Sequence, residues 1–251
     1  MKHIQKKYYQ EHKNVALEKI SYPILDPSDS IDIVEASKED QLFLIYNDNS
    51  IVRAFAHQHK DKILRIPIPD LSIVYFNSAY LLNKLRIEQF DEMVSKVSID
   101  GDKMDENATN EIFKFYGYSS SCLISLFTAL ESFINHILPD NEVYVYKKKK
   151  YNKGEIQRWI PFNDKVKYVL PFYFGKTFFT NATPLYEHID NLKSIRDELI
   201  HTKSDQNLKL QEKLMSKIID FDYEKAFEAS TDFMNFYKKE FIVECHCGRD
   251  F

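Results

Sequence analysis

Asn191-Leu192-Lys193-Ser194-Ile195-Arg196-Asp197-Glu198-Leu199-Ile200-His201-Thr202-Lys203 decides how the chain is read. Leu185, Ile189, Leu192, Ile195 and Leu199 recur at steps of three and four, so they share one stripe of a helix. Arg196 falls inside that stripe, only ~40° around the helix from Leu192 at ~100° per residue. A helix that buries its stripe rarely places a guanidinium there without a partner or a task. Further along comes His201, the side chain type whose unperturbed pKa lies near neutrality. The pattern is arginine, four residues, histidine, with the polar Asp197 directly after the arginine. In a straight helix the two side chains project ~140° apart, so one copy of the pair does not converge on a single atom.

Working outward, the periodicity predicts a helical protein. Pro184 sits well in the first turn of the motif helix, which the spacing carries to about Lys203. Upstream, Leu71, Val74, Tyr75, Ser78, Leu81, Leu82, Leu85 and Phe90 keep helical spacing to about Val97. A second helix is expected from about Asn107 to Leu138. Its later half, around Cys122-Leu123-Ile124-Ser125-Leu126-Phe127, is apolar nearly all round and so belongs at the centre of a bundle. Glu131, Asn135 and His136 are its polar exceptions. A helix from about Asn163 is expected to stop at Pro171, followed by an aromatic loop broken by Gly175. Helices over 208–219 and from Tyr223 to about Phe241 complete the set.

The first 70 residues differ in character. Residues 1–20 read as a polar helix or frayed tail, and Pro23 and Pro27 mark a loop. Gln41–Tyr46 and Ile51–Ala56 flank Asn47-Asp48-Asn49-Ser50, which suggests a β-hairpin. Ile63–Ile68 reads as a third strand, confined to an edge by Pro67 and Pro69. The expected organisation is an appendage over 1–70, a helical bundle over 71–241 and a tail over 242–251. The fold class is mainly α, an up-and-down helical bundle with a small N-terminal β or loop appendage. That appendage is open to three roles: a β cap, a sensor or a dimerisation arm.

Composition narrows the function classes. With 19 Phe, 16 Tyr and only 5 Gly, the chain favours helix over turn-rich β architecture. The net charge of −4 provides no global basic field, so any nucleic-acid site must be a local patch. Three cysteines make no disulfide framework, and Cys122 reads as a core residue. No apolar run approaches membrane-spanning length and the N-terminus lacks a signal-peptide pattern, so no membrane is expected and the cytoplasm is the default compartment. The sequence contains no Gly-rich phosphate loop, no His-Glu-x-x-His and no Gly-x-Ser-x-Gly.

The Arg196-x4-His201 motif, set after an apolar helix and a basic connector, resembles the HEPN superfamily over roughly residues 71–240. The resemblance implies an all-helical domain whose motif lies near a homodimer interface. It also implies a metal-independent endoribonuclease, with no cofactor, in a toxin, abortive-infection or other defence role. Arg196 and His201 are then the catalytic pair. The ribose 2′-OH attacks the neighbouring phosphate, Arg196 stabilises the charge on the phosphoryl oxygens, and His201 moves a proton. The products would be a 2′,3′-cyclic phosphate and a 5′-OH. RNA, a second copy of the chain, and a cognate antitoxin or regulatory protein are the implied partners. Some family toxins carry a modifiable Tyr two residues after the His. Here that position is Lys203, so that mode of neutralisation does not carry over. The other reading is a non-catalytic HEPN-like module that binds a nucleotide, an RNA or a protein.

Supporting roles fall to Asp197, one turn before His201 and able to hydrogen-bond its imidazole, and to Glu131 and Asn135, which could orient Arg196. Lys147, Lys148, Lys149 and Lys150, interleaved with Tyr144, Tyr146 and Tyr151, form a basic aromatic stretch. With Arg158, Trp159 and Lys203 they suit a single strand through phosphate contacts and base stacking. The plainer reading of such a charge run is a solvated loop. Asp100, Asp102 and Asp105 lack the full ligand spacing of a calcium loop. Cys245-His246-Cys247 is half a zinc site with no matching pair elsewhere in the sequence, so no metal is expected.

Overall fold

The computed structural model describes residues 3–13, 33–38, 42–97, 107–181, 183–201 and 208–247. They belong to two compact units, Lys6–Ile73 and a larger one formed by Met1–Gln5 with Val74–Phe251. The chain is mainly helical with a small N-terminal strand region.

The smaller unit is built on strands β1 (Glu11–His12), β2 (Phe43–Ile45), β3 (Ile51–His59) and β4 (Lys62–Pro67), with a short helix α1 (Ile33–Lys38). β3 is the centre: Val52, Ala54 and Ala56 alternate inward, as the two-residue period of a half-buried strand requires. Its first half pairs antiparallel with β1 and β2, in the register Leu44↔Val52, and its second half with β4, from Ala54↔Pro67 to His59↔Lys62. β4 has β3 as its strand neighbour, the edge position its prolines call for. The β2–β3 turn closes because Asn49 takes a φ of 60° and Asp48 accepts from the Ser50 N–H at 2.9 Å. The polar helix expected within residues 1–20 is not formed over residues 3–13. There the backbone is extended, and Tyr9 N–H donates to the Ile68 carbonyl at 2.8 Å. Non-local pairing satisfies these backbone groups, and a local propensity argument does not see it.

The larger unit contains α2 (Leu71–Val97, which starts in the smaller unit), α3 (Ala108–Ile137), a hairpin of β5 (Tyr144–Tyr146) and β6 (Lys149–Tyr151), α4 (Lys153–Trp159), α5 (Phe162–Asp164), α6 (Leu170–Phe174), α7 (Phe178–Asn181), α8 (Thr183–Ile200), α9 (Leu208–Ile219) and α10 (Tyr223–Tyr237). α3 is central: Cys122, Leu123, Leu126, Ala129, Leu130, Phe133 and Ile134 are all fully buried. Burial pushes the Cys122 thiol up to about 12, as befits a packed core residue. α8 packs against α3, α9 and α10. Rings lock the layers together, with Phe133 of α3 against Phe233 of α10 and Phe90 of α2 against Phe115 of α3.

Three expectations change here. The helix from Asn163 does not stop at Pro171. A π turn over Lys165–Val169, closed by Leu170 N–H donating to the Lys165 carbonyl, leads straight into α6. Pro171 then sits in the first turn of α6, where its fixed φ suits the helix. The aromatic loop is partly helical, as α6 and α7, with Gly175 capping α6 at a φ of 63°. The terminal segment beyond 241 is docked as far as Cys247: Ile242 is buried and Glu244 bridges Ile4, which draws the first residues into the helical unit.

Among the described residues, no helix is long and apolar enough to cross a membrane.

Candidate functional site

Helix α8 sorts its side chains as the spacing predicts. Tyr186, Ile189, Leu192 and Ile195 are buried, with Leu185 and Leu199 half-buried beside them. Arg196 extends from this inner side toward α3. Its Nη2 lies 3.2 Å from Glu131 Oε2, its Nη1 lies 2.9 Å from Asp197 Oδ1, and its guanidinium carbon is 4.9 Å from the centre of the Phe127 ring. The side chain retains 22% exposure, so it is packed without being sealed. Two carboxylates and an aromatic face therefore fix the fork in one orientation.

His201 stands just past the last turn of the same helix, exposed, its backbone N–H donating to the Asp197 carbonyl at 3.0 Å. It ends a polar stripe of Asp190, Lys193, Ser194, Asp197 and Glu198 that lines an open cleft of about 470 Å³. Asp197 thus holds the Arg196 guanidinium and shares the cleft lining with His201. Its expected bond to the His201 imidazole gives way to bonds from Lys193 and Arg196, since a carboxylate is better matched by two cations than by an imidazole. Burial alone would push the Asp197 carboxyl up. The hydrogen bonds and charges of Lys193 and Arg196 outweigh it and hold the group below its ordinary value. Glu198 pairs with Lys217 of α9 at 2.6 Å.

Glu131 meets Arg196, the contact that the plainer reading of a purely structural ion pair also calls for, whereas Asn135 does not. One turn further along α3, its Oδ1 accepts from Lys165 Nζ at 3.2 Å. Lys165 is the residue that sequence reasoning missed. It is buried, donates also to the Gln157 carbonyl at 2.9 Å, and its pKa is lowered by burial despite the nearby Glu131 charge. The available signal was a lysine next to Val166 in a segment otherwise patterned for the core. The π turn over Lys165–Val169 obscured which face it would occupy.

The basic stretch is an ordered hairpin. Its register, Tyr144↔Tyr151 and Tyr146↔Lys149, puts these four side chains on one face. Lys147 and Lys148 form the turn, with φ of 47° and 66°, a left-handed pair for which Asn-Gly is the usual choice. Placing two lysines there costs of order 1 kcal/mol each, and all four lysines are exposed. Tyr146 Oη donates to Asp164 of α5 at 2.6 Å, and the neighbouring Asn163 reaches Asp190 of the α8 cleft at 3.4 Å. The hairpin and the cleft therefore flank the same short turn. Trp159, under the Arg158 guanidinium, and Phe172, against Tyr144 and Tyr173, are 59% and 61% exposed. Lys203 and the acidic turn with Asp100, Asp102 and Asp105 lie outside the described residues.

Comparison with known proteins yields no matching family model, no matching curated protein and no matching solved structure.

Proposed function

We propose that this chain is an endoribonuclease of the HEPN type that works as a paired copy, with Arg196 and His201 supplying the chemistry. The observation that carries it is the arrangement around Asp197. Its carboxylate holds the Arg196 guanidinium at 2.9 Å, and it lines an open cleft together with the exposed His201. The cationic fork suits the phosphoryl oxygens and the imidazole suits the proton transfer of a 2′-OH attack. The two groups project too far apart for one copy to suffice. A two-fold pairing of α8 helices would set the His201 of one copy near the Arg196 of the other. Around the cleft, Glu131, Asp190, Asp197 and Glu198 outnumber Lys193, Arg196 and Lys217, so the cleft itself does not attract a polyanion. The exposed hairpin lysines beside it, with Trp159 and Phe172 as stacking surfaces, supply the missing attraction. A role in defence, as a toxin or abortive-infection effector held by a regulatory protein, follows from the HEPN resemblance.

A second reading is favoured by the same ion pair: a guanidinium occupied by Glu131 and Asp197 also fits a non-catalytic HEPN-like module that binds RNA, a nucleotide or a protein. RNA cleavage in the presence of EDTA separates the two. The enzyme is expected to cleave, leaving 2′,3′-cyclic phosphate ends, and to lose on the order of 10²–10⁴-fold in rate in Arg196→Ala and in His201→Ala. Equal cleavage by all three proteins, or none by the wild type, overturns the proposal.

A further inference from the structure

The two ends of the larger unit meet in an antiparallel pairing. Ile4 is bridged to Glu244, with Gln5 N–H donating to the Val243 carbonyl and Cys245 N–H to the His3 carbonyl, each at 2.8 Å. This register makes His3 and Cys245 direct cross-strand neighbours, and such neighbours project to the same side. In an extended segment side chains alternate, so Cys247 shares the side of Cys245, and His246 between them falls on the other. The Cys-x-Cys spacing is thus what an extended strand needs to present two thiols together, and the pairing adds an imidazole to them.

The side chains follow the backbone. The ligand atoms of His3, Cys245 and Cys247 all lie within 4.8 Å of one another, and His3 Nε2 is 3.3 Å from Cys247 Sγ. A tetrahedral zinc with bonds of ~2.3 Å to sulfur and ~2.0 Å to nitrogen holds its ligand atoms roughly 3.5–3.8 Å apart, so closing on an ion takes shifts of about an ångström or less. Burial is graded across the cluster. His3 is 2% exposed, Cys245 is half-buried and Cys247 is exposed, which provides an anchored base and a way in for the ion. Sequence spacing alone exposed only the Cys-x-Cys half, because the third ligand is 242 residues away from Cys245 and reaches it only through the fold.

We infer that His3, Cys245 and Cys247 form a binding site for a soft divalent ion of the zinc type, which staples the two ends of the helical unit together. Two thiolates and an imidazole are the donor set that selects zinc over magnesium or calcium. Three protein ligands leave a fourth position for water or an added group. The site is independent of the Arg196–His201 chemistry and stands whether or not the chain cleaves RNA.

The test uses the untagged chain, since a histidine tag would bind the same ions, stripped of metal and kept reduced. It is titrated with cobalt(II) and then with zinc. Thiolate-to-cobalt charge-transfer absorption should rise to a plateau at one cobalt per chain and vanish when zinc is added. Cys247→Ser, an exposed position that leaves the helices intact by circular dichroism, should abolish the plateau. His3→Gln should keep thiolate absorption but weaken binding at least tenfold. Absence of a one-equivalent plateau in the folded wild type overturns the site, as does binding unchanged in Cys247→Ser and Cys245→Ser. So does a Cys245–Cys247 disulfide in protein purified under reductant.

Discussion

The inner and outer sides of α8 carry one motif under opposite conditions. Inside, Ile189 and Leu192 have no exposure and Arg196 is gripped by Glu131, Asp197 and the Phe127 ring. Outside, Ser194 and His201 face solvent across the cleft. The inner side is fixed by packing and ion pairing that already exist within one chain. The outer side leaves its polar groups open to solvent along the cleft. The difference teaches that one helix can fix some side chains by packing and ion pairing while leaving others open to solvent, and under the proposed function the open side is the half that a second copy completes.

Graded substitutions along α8 can break that contrast. Leu192→Ala should have the largest effect on stability, about 2–5 kcal/mol by chemical denaturation, because it opens a cavity between α8 and its neighbours. Arg196→Ala should cost less, about 1–2 kcal/mol. It takes the guanidinium from Glu131 and leaves Asp197 with Lys193, and both carboxylates keep partial access to water. His201→Ala should change stability by no more than ~0.5 kcal/mol. A loss comparable to Arg196→Ala would show that His201 is a structural residue. The smallest effect concerns acid. Asp197 titrates below its ordinary value of 3.8, so its stabilising contribution is complete above that value and is lost as pH falls through its lower folded value. Thermal unfolding of Asp197→Asn should therefore show a shallower pH dependence below about pH 4 than the wild type. Superimposable slopes would mean that Lys193 and Arg196 do not hold this carboxylate in solution.

Much of this arrangement could be read from residue order. The stripe Leu185 to Leu199 located α8, the all-round apolar run after Ser121 located the central α3, and Asn47-Asp48-Asn49-Ser50 located the β2–β3 turn. These signals are local: a period of 3.6, a period of two, a turn that tolerates a left-handed residue. What stayed hidden was non-local. Ile4 pairs with Glu244 across nearly the whole chain. Lys165, at the start of a π turn, is buried and donates to Asn135 of a helix 30 residues upstream. Asp197 could be placed one turn from His201 by counting. Which of its neighbours would win its oxygens depended on Lys193 and Arg196 approaching together, and spacing does not rank competing partners.

The proposal that one chain holds half of a site is tested most directly by mixing two variants, each expected to be inactive. Arg196→Ala and His201→Ala proteins, each confirmed folded, are combined, allowed to exchange subunits and assayed on RNA with EDTA. On the proposed pairing, a mixed pair would set the intact His201 of one copy against the intact Arg196 of the other, so cleavage should return to a sizeable fraction of wild type, well above either parent. A mixture that exchanges subunits yet cleaves no better than its parents would contradict the account.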